Sequence, residues 1–311
     1  MNKKNVFVTG GAGVIGQQLV PLLLAGGHSV TVGDLKPKPA GFGTEVEYWQ
    51  MDLNDLSKSK FDSSQFQVVL NLAAAFERTF ETPEFWSNSF DNNIKLSHHI
   101  MSLVSGSSSI ERAVYASSYL VYDSSQYIFE DGNEPPVRLR PGMPIWSRNL
   151  IGASKLYHEF ELEYLARQPQ RNFTIATARI YRGYGIGSRD VVSRWIRDAL
   201  ADRPLQAYNI LGKFDYIYCK DSAMALYKIA METSREGVVD VGTGRAEPVS
   251  AILDALRDAF PNLDVEYGQN LGPFESSEAD TTSLAEWIKW TPRYSLATAI
   301  PEIISYERGR V

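Results

Sequence analysis

Apolar runs and helical apolar patterns alternate along the first half of the chain. A short run, Val6–Val8, precedes a cluster of glycines, and apolar residues then recur at helical spacing from Val14 to Leu24. Runs of the first kind predict strands, and patterns of the second kind predict helices. We expect further strands at 29–33, 46–51, 68–72, 112–117 and 173–179, and helices near 13–26, 85–104 and 150–167.

This alternation predicts an α/β fold built on a doubly wound parallel sheet of the Rossmann type. The pattern is less regular after Arg179, where we expect a helix near 191–201 and short strands near 205–209 and 265–267. The segments 221–232 and 238–241 again favour a helix and a sheet strand. We therefore expect a first domain of residues 1–180 joined by about 214–243. Residues 181–213 and 244–311 are expected to form a smaller, interleaved C-terminal α/β lobe.

The glycine cluster has the spacing G-x-G-x-x-G in Gly11, Gly13 and Gly16, between the first strand and the first helix. In this context glycine allows the backbone to approach a pyrophosphate and allows the helix to pack tightly on the sheet. The free N–H groups of the helix N-terminus then favour the anion. The sequence predicts dinucleotide binding here, by residues Gly10, Gly11, Gly13, Val14, Ile15 and Gly16.

Asp34 ends the second predicted strand, 18 residues after Gly16. A carboxylate at that place can accept hydrogen bonds from ribose hydroxyls and repels the extra phosphate of NADP, which favours NAD. The ends of the next strands supply further candidates for cofactor contact. Asp52 and Leu53 follow the third strand, and the small residues Ala73, Ala74 and Ala75 follow the fourth.

Charge, cysteine content and apolar stretches limit the classes of partner and the cellular location that we expect. The net charge is -6 and no long basic run is present, which argues against a nucleic-acid partner. The single cysteine, Cys219, rules out an intrachain disulfide and favours a reducing compartment. The longest apolar stretch, 19–25, is too short to span a membrane, and the N-terminus has no signal-peptide pattern. We therefore expect a cytoplasmic protein, and the four histidines show no metal-ligand spacing.

These motifs together resemble the extended short-chain dehydrogenase/reductase family, in particular its nucleotide-sugar epimerases and dehydratases. The resemblance runs from about residue 4 to residue 305 and implies an NAD-dependent enzyme whose smaller lobe binds the sugar substrate. It is carried by the glycine turn and Asp34, by Asp52-Leu53, Asn71-Leu72-Ala73-Ala74 and Asn93, by Ala116-Ser117-Ser118 and Gly152-Ala153-Ser154-Lys155, and by Val241-Gly242-Thr243-Gly244-Arg245.

The resemblance assigns catalytic roles, but one position departs from the family pattern. Ser118 matches the serine that hydrogen-bonds the reacting oxygen, and Lys155 matches the lysine that binds the nicotinamide ribose. The family's acid/base tyrosine lies four residues before that lysine, and here this position is Ile151. Isoleucine has no proton to exchange, so the usual mechanism cannot operate unchanged.

Three explanations remain open for Ile151. Tyr119, next to Ser118, is a candidate replacement base, although a packed aromatic side chain is the plainer interpretation. Alternatively, the substrate or a water supplies the proton route with help from Lys155. In the third explanation the chain binds cofactor and sugar with little turnover.

Two more departures concern the substrate. Relatives that perform 4,6-dehydration carry an Asp-Glu pair after the serine, and this chain has Tyr119-Leu120, which argues against that reaction. Two arginines that usually clamp the substrate diphosphate are also missing, one at Phe214 and one in 272–278. Arg182 or Arg189 could replace them, because guanidinium matches phosphate geometry. A substrate without a diphosphate stays open.

The resemblance also implies a homodimer formed through the helices near 93–104 and 150–167. In the second helix Leu156, Phe160 and Tyr164 recur at helical spacing. Taken alone, that spacing predicts a face turned to the core.

Overall fold

The computed structural model of the chain describes residues 2–76, 81–269 and 272–310. The strands are β1 Asn5–Thr9, β2 Ser29–Asp34, β3 Val46–Gln50, β4 Val68–Asn71, β5 Arg112–Ser118, β6 Ile128–Phe129, β7 Val137–Leu139, β8 Thr174–Ile180, β9 Arg182–Tyr184, β10 Leu205–Ala207, β11 Lys213–Tyr218, β12 Gly237–Val241, β13 Ala246–Pro248, β14 Val265–Tyr267 and β15 Phe274–Ala279. The α-helices are α1 Gly16–Ala25, α2 Lys58–Ser63, α3 Pro83–Ser89, α4 Leu96–Ser105, α5 Leu150–Ala166, α6 Val191–Leu200, α7 Cys219–Met231, α8 Val249–Ala259, α9 Thr282–Ile288 and α10 Leu296–Arg308.

A seven-stranded sheet has the strand order β12-β8-β5-β4-β1-β2-β3. Strand β1 pairs in parallel with both β2 and β4, and the parallel pairing continues to β3 on one side and to β5 on the other. The order reverses between β1 and β4, which is the topological switch point of a doubly wound sheet. The predicted α/β Rossmann-type fold is confirmed.

The core beside this sheet is rich in aromatic residues. Phe7 on β1 stacks on Phe66 with ring centroids 4.9 Å apart and meets Phe61 edge-on at 5.9 Å. Trp49 on β3 completes the cluster at 5.4 Å from Phe7. All four side chains are buried. Burial of this much apolar surface fixes the register of β1 and of β3 with β2, because a one-residue slip would turn Phe7 or Trp49 outward.

The chain divides into two compact units. Unit 1 holds residues 1–122, 144–179 and 223–239, and unit 2 holds 123–143, 180–222 and 240–311. These bounds differ from the expected 1–180 joined by 214–243. Segment 123–143 belongs to unit 2 because its strands β6 and β7 pair with β15. Within 214–243, residues 214–218 lie in β11, which pairs with β9, β13 and β15 of unit 2.

The buried face of helix α5 is not the face that the sequence predicted. Phe160 and Tyr164 are 54% and 71% exposed, so the stripe at that spacing faces outward and the prediction is wrong. The buried stripe instead includes Lys155, His158 and Glu159. Spacing alone identified a stripe but not its direction, because the buried polar groups of α5 find partners on the sheet.

The expected helix near 85–104 is interrupted. Helices α3 and α4 are joined by a π-helical turn, Phe90–Lys95. The turn contains Asn93, whose side chain is buried. Such π turns are frequent at functional sites, because the extra residue redirects a side chain.

The buried guanidinium of Arg112 fastens α7 to the sheet. Its Nε and Nη2 both donate to the backbone oxygen of Ile229, at 3.2 and 2.9 Å, and Nη1 donates to the Thr174 hydroxyl at 3.1 Å. Burial lowers the pKa of Arg112 to about 10, so the side chain stays charged at neutral pH. Burial of the charge costs free energy, and the hydrogen bonds to these acceptors offset that cost.

We expect Arg112→Met to lower the free energy of unfolding by about 1–3 kcal/mol, because the Ile229 carbonyl loses its buried donors. The matched control is Arg167→Met, whose exposed guanidinium pairs with Glu163 on the surface of α5. That change is expected to cost about 0.5 kcal/mol or less. Urea unfolding of both variants measures the difference, and equal effects would contradict the role given to Arg112.

Candidate functional site

The glycine turn sits at the switch point, at the carboxyl ends of β1 and β4. Gly10 has a φ of +68°, and a Cβ added there would lie 2.7 Å from the Cα of Ala73. Its N–H donates to the Gly33 oxygen at 2.8 Å, which ties the turn to the end of β2. The backbones of β1 and β4 therefore meet at a distance that only glycine permits.

The other glycines serve the packing of the turn itself. A Cβ on Gly11 would lie 2.6 Å from the Val32 side chain, and one on Gly16 would lie 2.5 Å from the backbone of Gly11. A Cβ on Gly13 would lie 3.1 Å from the Gly10 oxygen and within 4 Å of no other described residue beyond its chain neighbours, and Gly13 is half-buried. The outward side of the turn is thus left to Gly13 and the two residues after it.

The start of α1 offers N–H groups to an anion. Within the described residues, the N–H groups of Val14 and Ile15 have no hydrogen-bond acceptor. The helix begins at Gly16 directly behind them. Unpaired N–H groups and the positive end of the helix dipole together make a binding place for phosphate oxygens.

The Asp34 carboxylate lies against the same turn. Its Oδ2 accepts the N–H of Ala12 at 2.9 Å, and its Oδ1 accepts the N–H of Lys36 at 2.9 Å. A carboxylate has about four acceptor positions, so capacity for two hydroxyl donors remains. The structure therefore places Asp34 against the glycine turn, and its contact with a ribose stays a prediction.

Asp52 and Leu53 are neighbours in sequence, but one side chain is exposed and the other is buried. Asp52 is exposed and caps the short turn after β3, where its Oδ1 accepts the N–H of Asn54 at 2.9 Å. Leu53 is buried, and its Cδ2 would be 2.6 Å from a Cβ on Gly33. Leu53 thus packs under the end of β2, and contact of this pair with a cofactor stays a prediction.

Asn93 holds the loop that follows β4. Its Oδ1 accepts the N–H of Ala75 at 2.7 Å, and its Nδ2 donates to the Ala75 oxygen at 3.0 Å. Thr9 supports the start of the same loop, because its hydroxyl oxygen accepts the N–H groups of Leu72 and Ala73 at 3.1 and 3.2 Å. The segment Ala73–Ala75 is therefore fixed beside the glycine turn, with Ala74 exposed.

Ser118 ends β5, Tyr119 begins the turn that follows it, and Ile151 is the second residue of α5. The Ser118 hydroxyl oxygen is half-buried and accepts the N–H of Leu120 at 3.2 Å. A Cβ on Gly152 would lie 2.5 Å from the Leu120 oxygen, so α5 starts directly against this turn. Tyr119 and Ile151 are 4% and 5% exposed. Tyr119 is a packed aromatic here, and its catalytic role stays a prediction.

Lys155 is a buried amine one helical turn beyond Ile151. Its side chain is 6% exposed, and its Nζ lies 4.7 Å from the ring centroid of Tyr115. Within the described residues it makes no hydrogen bond. Burial lowers the pKa of Lys155 to about 8, although the Glu159 carboxylate opposes the shift.

A buried ion pair that the sequence analysis missed anchors α5 to the sheet. Arg179 donates to both carboxylate oxygens of Glu159, at 3.1 and 2.6 Å, and the Ser117 hydroxyl donates to Oε1 at 2.5 Å. The Arg179 guanidinium also lies 4.7 Å from the ring centroid of Tyr122. The signal in the sequence was a charged residue on a strand and another on a helix, which does not reveal their pairing.

Unit 2 holds the predicted substrate arginines. The guanidinium carbon of Arg182 on β9 lies 4.0 Å from the ring centroid of Phe214 on β11. The strands pair in parallel, with Arg182 opposite Tyr216. Arg189 is exposed before α6. The guanidinium of Arg182 therefore lies over Phe214, and its contact with a substrate diphosphate stays a prediction.

The described residues offer neither a metal-binding cluster nor a membrane-spanning helix. Residues 2–76, 81–269 and 272–310 contain no cluster of three or more His, Cys, Asp or Glu side chains able to hold a metal ion. No helix in these ranges is both long enough and apolar enough to cross a membrane.

The described residues of unit 1 fit a nicotinamide dinucleotide. The glycine turn leaves no room for a Cβ at Gly10, and the unpaired N–H groups of Val14 and Ile15 suit a pyrophosphate. Asp34 suits ribose hydroxyls, and the unbonded amine of Lys155 suits a second ribose. When bound, the nicotinamide supplies a hydride acceptor and donor.

Comparison with known proteins finds relatives over most or all of the chain. The UDP-glucose 4-epimerase of Dictyostelium discoideum is 24% identical over 92% of this chain and 90% of its own length. The UDP-N-acetylglucosamine 4-epimerase of Methanobrevibacter ruminantium M1, solved with UDP-N-acetylmuramic acid, covers the whole of both chains at a TM-score of 0.85 and 22% identity. The UDP-glucuronic acid 4-epimerase of Bacillus cereus, solved with UDP-glucuronic acid and NAD, covers 99% of this chain and 100% of its own at a TM-score of 0.85 and 18% identity.

The family model described as the NAD dependent epimerase/dehydratase family matches residues 6–242. This range contains the glycine turn, Asp34, Ser118 and Lys155. The chain belongs to the NAD dependent epimerase/dehydratase family.

Proposed function

We propose that the protein is an NAD-dependent oxidoreductase or epimerase that acts on a nucleotide-activated sugar by hydride transfer at a ring carbon. The observation that supports this most is the concentration of the glycine turn, Asp34, Ser118 and Lys155 in unit 1, in a chain of this family. Relatives of similar length are named as acting on UDP-sugars, which favours that substrate class.

The residues of this chain have distinct tasks in the proposed reaction. Gly10–Gly16 and Asp34 hold the adenosine and pyrophosphate part of NAD, and Asn93 fixes the loop beside it. Lys155 binds the nicotinamide ribose. Ser118 orients the reacting hydroxyl through its half-buried side chain, and Ile151 shapes the pocket without exchanging a proton.

Arg182 is proposed to bind the substrate diphosphate. Its guanidinium carbon lies 4.0 Å from the ring centroid of Phe214, and contact with an aromatic face orients a guanidinium. The exposed Arg189 is a second candidate from the same unit. Both assignments rest on the matching chemistry of guanidinium and phosphate.

A second copy of the chain is the proposed partner. On α5, Tyr157, Phe160 and Tyr164 are 47%, 54% and 71% exposed, and Trp86 and Phe90 are 60% and 55% exposed on the helical segment that packs against α5. Exposed aromatic clusters are typical of protein interfaces. We propose a homodimer through this face, and the cytoplasmic location stays a prediction.

We expect Gly10→Ala to weaken NAD binding about tenfold or more, equivalent to about 1.4 kcal/mol, because the new Cβ pushes Ala73 away from the turn. The matched control is Gly27→Ala, which also has a positive φ, of +82°, but has no atom within 4 Å of the new Cβ. Titration calorimetry measures both affinities. If the two variants bind NAD equally well, the cofactor site is placed wrongly.

The reaction is tested with the purified protein and bound NAD. A panel of UDP- and dTDP-sugars is offered, and nicotinamide reduction is followed by absorbance and fluorescence. Reduction by at least one sugar is expected, and Ser118→Ala is expected to slow it about 100-fold, since one hydrogen bond to the reacting oxygen is lost. NAD binding without reduction by any sugar would instead favour a cofactor-binding protein with little turnover.

We expect the double variant Phe160→Asp, Tyr164→Lys to be monomeric, because charges replace the apolar centre of the proposed interface. Because both side chains are exposed, the substitutions should leave the fold unchanged. Tyr208→Ser, at a 42% exposed tyrosine of unit 2, is the control and should stay dimeric. Sedimentation velocity distinguishes the states, and a monomeric wild type would refute the dimer.

A further inference from the structure

Ile151 stands where the family resemblance places the acid/base tyrosine, and its side chain cannot accept the proton of the reacting hydroxyl. Ile151 is buried at the second residue of α5, and Lys155 lies one turn further along, on the same face of the helix. Ser118 lies at the end of the strand on which α5 packs. The ionisable group on the helix face of Ile151 is the amine of Lys155, while the Glu81 carboxylate is engaged at the start of the helix, where its Oε1 accepts the N–H of Leu150 at 2.8 Å.

The surroundings of the Lys155 amine favour its neutral form. It lies over the Tyr115 ring and makes no hydrogen bond within the described residues, so little compensates the loss of water around its charge. Glu159, one turn further along α5, is the carboxylate that opposes this, but both of its oxygens are bonded to Arg179. Its attraction for the ammonium is thus shared with a buried cation.

The other titratable groups around α5 do not restore the charge. On α5 itself, the buried His158 is kept neutral, since burial lowers its pKa. Tyr115 on β5 stays protonated, because burial raises its pKa. Tyr119 in the turn after β5 is also buried.

The helical segment 83–105 carries its charged groups on exposed side chains. These are Glu84, Asp91, Lys95 and His98, and the half-buried His99 is hydrogen-bonded to the Leu56 carbonyl oxygen at 2.9 Å. Asp91 and Lys95 face each other at 3.8 Å, and His98 is bonded to Glu161 at 2.7 Å. Solvent screens such charges, so their effect on a buried amine is small.

We propose that Lys155 itself accepts the proton of the reacting sugar hydroxyl, in the place of the tyrosine that Ile151 replaces. This inference rests on the proposed function. The O–H bond breaks and its proton goes to Nζ of the neutral amine. The C–H bond of the same carbon breaks as hydride leaves for C4 of the nicotinamide. The carbon is oxidised to a carbonyl, NAD is reduced, and the ammonium returns the proton when the carbonyl is reduced again.

The first test compares wild type with Lys155→Arg. Arginine keeps a cation and N–H donors for the ribose but does not lose its proton near neutral pH. We expect calorimetry to show NAD binding within about tenfold of wild type, while single-turnover reduction by a sugar nucleotide falls about 100-fold or more. Reduction at the wild-type rate would overturn the proposal.

The second test needs no variant and no turnover. Competitive acetylation followed by mass spectrometry gives the pH at which each lysine becomes reactive, with the exposed Lys289 as the standard for reagent reactivity. The midpoint for Lys155 in the NAD-free protein is expected near pH 8. A midpoint above pH 10 would overturn the proposal, because the amine would then be charged at neutral pH.

The third measurement is the pH dependence of nicotinamide reduction in the wild type. A base must be deprotonated to act, so the rate is expected to rise tenfold per pH unit below the Lys155 midpoint and to level off above it. A profile that is flat across that range refutes Lys155 as acceptor. If NAD binds but no sugar reduces it, the proposed function fails, and the acetylation midpoint still tests the state of the amine separately.

Discussion

The close approach of Gly10 to Ala73 is the constraint on which the binding site depends. It occurs where the strand order reverses, so the ends of β1 and β4 carry their following segments in opposite directions. A side chain at Gly10 would separate the two segments. Thr9 fixes the same junction from below, because its hydroxyl oxygen accepts two N–H groups of the loop after β4. The backbone contact at Gly10 and the buried Thr9 side chain thus fix the junction together.

Helix α5 positions Lys155, and it does so with polar residues on its buried side and aromatic residues on its exposed side. Its sheet side carries Lys155, His158 and Glu159, and its outer side carries aromatic residues. Burying charges is costly, and the cost is offset only by the two-point contact of Arg179 with Glu159 and by the Ser117 hydroxyl. The same pairing leaves the Lys155 amine with weak compensation, so a structural anchor and a chemically poised amine arise from one arrangement.

Much of the chain follows directly from its own pattern. The predicted strands at 29–33, 46–51 and 68–72 agree with β2, β3 and β4 to within a residue at each end. Buried parallel strands are short, apolar and bounded by turn residues, so their signal is local. The irregular strands β6, β7 and β13 were not predicted, because two or three residues on the edge of a small sheet carry no periodicity.

The sequence by itself determined the doubly wound sheet, the glycine turn, the position of Asp34 and the isoleucine four residues before Lys155. These features depend on residue type and on spacing along the chain, and both can be read without coordinates. Only the tertiary structure decided which face of α5 is buried, that Glu159 pairs with Arg179, that the guanidinium of Arg182 covers Phe214, and that 123–143 joins unit 2. Each of these depends on residues distant in sequence, whose meeting is set by the packing of whole elements and has no local signature.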